Sequence, residues 1–315
     1  MILPISVIIP TMNRPESLDR TLKSISEASD LPQQIVVVDQ SCEASVQDSN
    51  RKILQKYSCF TSKVYEYQSV ASSTKARNLG CLKAMNDILV FSDDDVDVPS
   101  DIFTNVACLM QDTKIAMIAG IDELTQSSKT NIGYFLGTKS YKNRKIGHVT
   151  LSMLGRYPDN IQGQVPTQWA QGYFFVVRKS LLEKWNVRWD ENLTSYAYAE
   201  DLDFSYSYYK YANAEGLRCI LDSRVNVKHL ATLEYRVPSA KSIYMYIINR
   251  KYLAYKHKMG IKGIIARNWC EWWRLVQKVI TGQNPTIFWK AYLCKFKYGK
   301  EIISGNLDYD KYMKL

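Results

Sequence analysis

The chain has 315 residues, 46% hydrophobic and 23% charged, with a net charge of +10. That is ample for a core and ordinary for a soluble protein, and the length suits one large domain with an appendage or two domains. No run reaches the roughly 18 apolar residues of a membrane-crossing helix, and the seven scattered cysteines include no Cys-x-x-Cys pair, which argues against a disulfide framework or a zinc site.

The charge is uneven. Residues 236–315 carry 16 Lys/Arg against 4 Asp/Glu, a net of +12, which leaves residues 1–235 at −2. A basic segment can meet nucleic acid, anionic lipid or an acidic substrate. The N-terminal "MILPISVIIPTMNRP" lacks the basic leader and cleavage site of a signal peptide and reads as a first strand. Free thiols and no leader together predict a cytoplasmic protein.

In chain order, residues 5–10 ("ISVIIP") predict a buried strand, 17–28 a helix with Leu18, Leu22 and Ile25 on one face, and 34–39 ("QIVVVD") a second buried strand. Residues 63–67 predict a third strand, 72–85 a helix and 87–93 a fourth strand. A helix follows over 100–110 with Ser100 as its N-cap, and then a strand over 114–120. Residues 121–168 have little periodicity and read as loops over a cleft or an excursion from the sheet. Residues 172–185 predict a strand entering a helix, 198–212 a helix with an acidic first turn, and 217–221 and 225–229 short strands. From about residue 240 the chain is helical, basic and rich in Trp and Tyr.

Alternating strands and helices predict an α/β fold with a largely parallel sheet. Ligands of such sheets bind beyond the carboxyl ends of the strands. Asp39 and the run "SDDDVD", with Asp93, Asp94, Asp95 and Asp97, both stand at such ends and are expected to share a cleft. Four carboxylates within five positions repel one another unless water or a cation relieves them. An EF-hand loop fails, because Val98 and Thr104 occupy the positions that need Gly and Glu. A solvated acidic loop, or an Asp-x-Asp site for Mg²⁺ or Mn²⁺ completed by a substrate diphosphate, remains.

"VIIPTMNRP", "VVVDQS", "ARNLG", "FSDDDV" and "AEDLDF", in this order over about residues 4–230, resemble the inverting family 2 glycosyltransferases of the GT-A fold, of the bacterial polysaccharide-biosynthesis type. The resemblance implies a GT-A catalytic domain over 1–235 and a basic, aromatic-rich helical extension over 236–315. It implies transfer from a UDP- or dTDP-sugar to a glycan or lipid-linked hydroxyl, with Mn²⁺ or Mg²⁺ as cofactor. By the same likeness Asp95 is the metal ligand, joined by Asp93 and by His229 at the end of "VNVKH"; Asp93 also faces the ribose or donor sugar, and Asp94 is a further contact. Asp39 matches the carboxylate that accepts the imide N–H of uracil or thymine. Pro10, Thr11, Asn13 and Arg14 match the nucleotide-binding loop, Arg77 and Asn78 the helix lining the donor site, and Gln171 and Gly172 the donor-sugar pocket. Asp201 matches the general base, with Glu200 orienting it or the acceptor. One departure stands out: the family commonly places an arginine shortly after the Glu-Asp pair, where this chain has Tyr206, Ser207 and Tyr208.

Each assignment has a plainer reading: a strand-end turn for Asp39, helix-dipole preference for the acidic first turn, packing for a lone histidine. In the extension, Trp269, Trp272, Trp273 and Val276 fall at helical spacing among Arg and Lys. They either dock peripherally on anionic lipid at the inner face of the plasma membrane or pack on the catalytic domain with a solvated basic face. No nucleic-acid-binding motif accompanies them, so nucleic acid is not an expected partner. The rivals are a nucleotidyltransferase, disfavoured because "IPTMNRPESL" lacks a Gly-rich phosphate loop, and a non-catalytic binding module.

Overall fold

The structure, a computed structural model, describes residues 1–122, 145–158, 161–194, 198–231 and 239–314. Its strands are β1 (Ile2–Thr11), β2 (Leu31–Asp39), β3 (Ser62–Tyr67), β4 (Ile88–Ser92), β5 (Val96–Asp97), β6 (Ile115–Asp122), β7 (His148–Val149), β8 (Gly155–Arg156), β9 (Gln164–Pro166), β10 (Phe174–Arg178) and β11 (Arg218–His229). The helices are α1 (Pro15–Ser26), α2 (Ala44–Lys56), α3 (Ser73–Lys83), α4 (Ile102–Met110), α5 (Lys179–Trp185) and α6 (Glu200–Ala214). The extension follows with α7 (Ser239–Lys256), α8 (Gly260–Ile280), α9 (Thr286–Lys297), α10 (Gly299–Ile303) and α11 (Tyr309–Met313).

The main sheet runs in the order β3-β2-β1-β4-β10-β6-β11-β5, with β9 pairing on β11. Strands β1, β2, β3 and β4 are parallel, as are β6 and β11, while β10 lies antiparallel between β4 and β6. The parallel strands therefore end on one edge, and β10 begins there. Both faces of the sheet are apolar because helices cover both. With a side-chain period of two, Val7, Ile9, Ile35, Val37 and Val90 face α1 and α4. Ile8, Val36, Val38, Leu89 and Phe91 face the layer of α3, α5 and α6. Helix α3 lies close on β1: a Cβ at Gly80 would stand 2.3 Å from Ile8 Cγ2, so only glycine permits this approach.

Several expectations change in detail. The helix over 102–110 is capped at Asp101 without a side-chain bond, and Ser100 instead accepts from the Ser29 N–H through its carbonyl. The segments 217–221 and 225–229 form one strand, β11, whose pairing with β6 slips between Leu221 and Asn226. Such a bulge bends a strand and re-aims its end. Residues 123–144 and 159–160 of the unpatterned stretch, and the expected boundary at 235/236, lie outside the described residues.

The extension packs onto the rest of the chain. Met245, Ile248 and Leu253 share a buried cluster with Leu154, Trp169, Leu193 and Leu202. A polar knot joins α7 to α6. Lys256 Nζ donates to Asp203 at 2.7 Å and to Asp190 at 2.6 Å. His257 contacts Asp203 Oδ1 through Nε2 at 2.7 Å and Lys210 Nζ through Nδ1 at 2.9 Å, with the Tyr206 ring alongside. The tautomer that satisfies both contacts is the neutral one, with Nε2 donating and Nδ1 accepting from the ammonium. Burial, with the charges of Lys210 and Lys256, lowers the His257 pKa below 6.5 despite Asp203.

The sign of the pH effect follows. The contribution of His257 is whole above about pH 6.5 and is lost as pH falls, because the unfolded imidazole takes a proton that the folded one resists; the loss is at most about 1.4 kcal/mol per pH unit. His257→Gln should flatten the fall in urea-unfolding free energy between about pH 7 and pH 5. An unchanged slope in the variant would refute the assignment.

Candidate active site

The carboxyl ends of β1, β2, β4, β6 and β11 gather Thr11, Asp39, the 93–95 aspartates, Asp122 and His229 on one edge. The three consecutive aspartates diverge. Asp94 turns inward, accepting from Thr11 Oγ1 at 2.7 Å and pairing with Arg14 at 2.7 Å. Burial pushes its pKa up to about 7 against the pull of Arg14 and Thr11. Asp95 takes the other side of the Arg14 guanidinium at 2.7 Å and the His229 imidazole at 3.2 Å. Burial raises Asp95, but the bonds from His229 and Arg14 outweigh it and hold the carboxyl well below its usual range. Asp93 pairs with Arg77 at 2.8 Å, and its pKa is raised by burial in spite of that partner.

Ligand atoms of Asp93, Asp95 and His229 lie within 4.8 Å of one another. His229 reaches this position from the bent end of β11, where Lys228 and His229 pair with Asp97 and Val96 of β5. Its ring stacks on Tyr173, centroids 5.1 Å apart, and its backbone N–H donates to Asp122 at 3.3 Å. Two carboxylates and an imidazole form a donor set that fits Mn²⁺; Mg²⁺ prefers oxygen alone.

Across the cleft, Glu200 and Asp201 open α6. They follow Ala199, whose φ of 68° puts a non-glycine residue in the left-handed region, a strained conformation of the kind found at functional sites. Asp201 accepts from the Leu202 N–H at 2.7 Å and the Gly172 N–H at 2.9 Å. Burial raises its pKa and that of Glu200, which Arg77 contacts at 3.2 Å. A desolvated carboxylate held by backbone donors is both oriented and basic, as a proton acceptor must be.

The remaining candidates divide. Asn13 adopts φ 56° and ties the first loop to the second through Ser41 Oγ and the Cys42 N–H. Pro10 pairs with Val38 beside them. Gln171 donates its backbone N–H to the Tyr157 hydroxyl, while its side-chain oxygen has no partner among the described residues, an acceptor a sugar hydroxyl could use. Asp39 is fully buried and accepts from the Ser41 N–H, Asn50 and Tyr65. Its oxygens point into the fold, so a base N–H would have to compete for them. Asn78 holds the loop at Trp189 and Glu191 rather than turning to the aspartates. Sequence reasoning passed over Asp122, although it ends a strand as Asp39 does, and Tyr157, which lies in the stretch without pattern.

Residues 6–185, more than half of the chain, match the family described as glycosyl transferase family 2. The chain belongs to this family. It is thereby a glycosyltransferase by family, and membership weighs against the nucleotidyltransferase. No curated protein sequence matches the glycosyltransferase. Its structure is similar to that of S. aureus TarS 1-349, with 19% identity over 80% of this chain and 65% of that one and a TM-score of 0.52. It is also similar to the mannosyltransferase PcManGT from Pyrobaculum calidifontis, with 15% identity, 99% and 83% coverage, and a TM-score of 0.53. A third likeness is to GalNAc-T7, with 15% identity, 95% and 57% coverage, and a TM-score of 0.57. The glycosyltransferase thus spans less than two thirds of the TarS and GalNAc-T7 chains. At these identities the likeness is one of fold, and that fold is GT-A.

Gly172 offers a test of the acid pair's geometry. A Cβ there would stand 3.2 Å from Asp201 Cβ and push the carboxylate back by a few tenths of an ångström. Gly172→Ala should cost about tenfold or more in kcat while the melting temperature stays near that of the parent. Unchanged turnover would show that Asp201 need not sit where Gly172 holds it.

Proposed function

We propose that this glycosyltransferase is metal-dependent and inverting. It moves a sugar from a UDP- or dTDP-sugar to a hydroxyl of a glycan or lipid-linked acceptor, in the biosynthesis of a surface polysaccharide. One observation carries the reading: Arg77 spans from Asp93, in the metal-competent set, to Glu200, beside the buried Asp201. The groups needed to hold a donor diphosphate and to take an acceptor proton are thereby fixed in one frame. The relatives support a nucleotide-sugar donor, since TarS was determined with UDP-GlcNAc and PcManGT with GDP-Man and Mn²⁺.

Asp93, Asp95 and His229 would hold Mn²⁺ or Mg²⁺, the imidazole favouring Mn²⁺. When bound, the ion supplies Lewis-acid charge neutralisation to the leaving diphosphate. Arg14 lies against Asp94 and Asp95, where a diphosphate would offer it new partners. Thr11, Asn13 and Ser41 line the base side, and Asp39 fixes that side's shape through Ser41, Asn50 and Tyr65. Asp201 takes the acceptor hydroxyl's proton on a carboxylate oxygen. The acceptor oxygen bonds the anomeric carbon on the face opposite the departing diphosphate, whose bond to that carbon breaks, and the configuration inverts. Residues 1–235 form the catalytic unit in this reading. The extension sits at the cytoplasmic face of a membrane; among the described residues no helix is long and apolar enough to cross one.

Thermal unfolding with UDP, dTDP and GDP, each with and without Mn²⁺, tests the donor side. A nucleotide at about 100 times its Kd adds about 2.7 kcal/mol to stability. The expected result is a shift with a pyrimidine diphosphate that requires metal and disappears in Asp95→Asn. Asp201→Asn should keep that shift and lose roughly 10²- to 10⁴-fold in transfer. A shift independent of both metal and Asp95 would overturn the metal assignment, and an active Asp201→Asn would overturn the base.

A further inference from the structure

We infer that the outer face of α8 and α9 is a docking surface for an anionic lipid bilayer. The inference gives a surface to the peripheral placement proposed above and is independent of which sugar is moved.

Helix α8 is turned inside out. Its charged Arg267 and Glu271 are buried, 5% and 0% exposed, where Arg267, Arg250 and Lys295 converge on the single carboxylate of Glu271. Its opposite side carries Ile261, Ile265, Trp269, Trp272, Val276 and Val279. Their spacing of 4, 4, 3, 4 and 3 residues forms one continuous stripe. That stripe faces solvent: Ile261 is 76% exposed, Ile265 63% and Trp269 51%. A soluble helix with a packed partner shows the reverse arrangement.

Helix α9 packs beside α8. Lys295 reaches from α9 to Asn268 at 2.7 Å and to Glu271 on α8, and its ammonium lies 3.8 Å from the centroid of Tyr292. Tyr292 in turn stacks with Trp289 and meets Phe296 edge-on. Trp289, Leu293 and Phe296 are exposed and give α9 an apolar strip of its own. Beside Phe296 opens a cavity of about 540 Å³ whose charged lining is Lys251, Lys297, Lys300 and Glu301.

Charge selects the occupant. Residues 258–300 hold nine Lys/Arg and one acidic residue; with Arg267, Lys295 and Glu271 buried together, seven cations and no carboxylate of this segment remain outside the core. A second copy of the chain would bring the same positive surface against itself, whereas anionic headgroups complement it. Isoleucine and tryptophan at the centre, lysine at the edge, and a helix that cannot span fit a helix lying in the interfacial plane.

The test is flotation of the full-length protein with phosphatidylcholine vesicles, with and without phosphatidylglycerol, alongside sedimentation velocity. The expected result is binding to the phosphatidylglycerol vesicles alone, weakened by salt. Ile265→Glu with Trp269→Glu should abolish it. Lys290→Glu with Lys297→Glu should weaken it by about thirtyfold or more, since each lysine near an anionic surface contributes about fivefold. All four residues are exposed, and an unchanged melting temperature and nucleotide shift would show that fold and donor site are intact. No binding to either vesicle, equal binding to both, or binding indifferent to these variants overturns the inference. So does a dimer dissolved by Ile265→Glu with Trp269→Glu in a protein that ignores vesicles. Failure here leaves the metal-dependent nucleotide shift untouched, so the two readings fall separately.

Discussion

The arrangement of the site depends on one buried guanidinium. Arg77 is 4% exposed, carries a pKa raised by Asp93 and Glu200 in spite of desolvation, and lies 4.6 Å over the ring of Trp189. A cation without water needs partners on every side. It takes one carboxylate from the end of β4 and one from the start of α6, segments more than a hundred residues apart in sequence. Behind it, Trp189 stacks on Phe204 at 4.2 Å and meets Phe91 edge-on, so the charged frame rests on the aromatic core of the sheet. Gly80, one turn along α3, lets that helix lie near enough to β1 for Arg77 to reach both acids. Removing either acid would leave the cation under-paired in a dry site, so the pairing holds the two halves of the site together by the cost of its absence.

The same logic of compensated charge gives three neighbouring aspartates different partners and different states. Burial pushes Asp94 up toward neutrality inside the fold and raises Asp93 against the pull of Arg77, while a histidine and an arginine hold Asp95 strongly ionised. Repulsion among adjacent carboxylates is relieved here before any cation arrives, by Arg14, Arg77 and His229. A divalent ion would therefore exchange with cations the protein already supplies. That exchange would free Arg14 to follow charge elsewhere.

Much of this was legible in the chain because strand ends announce themselves. An apolar run that stops at a carboxylate marked Asp39 and Asp93, and parallel topology brings all such ends to one edge. The acidic first turn of α6 was equally visible. What was hidden depends on tertiary placement. Helix α2 buries only Asn50 and Leu54, so it leaves almost no apolar period to read. The antiparallel course of β10 cannot be told from its composition, yet it brings Gln171, Gly172 and Tyr173 to the site edge. Asn78 sits one residue from Arg77 and so points another way round the helix, to the loop at Trp189. Asp39 matched a pattern of residue types, but its full enclosure by Ser41, Asn50 and Tyr65 arises from three separate segments.

The basic extension reaches back to the acid pair. Asn249 of α7 donates to the carbonyl of Tyr198, and Lys256 and His257 hold Asp203, so the extension grips the chain on both sides of Glu200 and Asp201. Ala199, in its strained left-handed conformation, lies between these two grips. Strain of this kind persists only where surrounding contacts over-determine it, and here α7 supplies those contacts. The acid pair is thus positioned by residues on the basic side of the chain. The helix that holds it leads directly into α8, whose outward face carries the exposed Ile261, Ile265, Trp269 and Trp272.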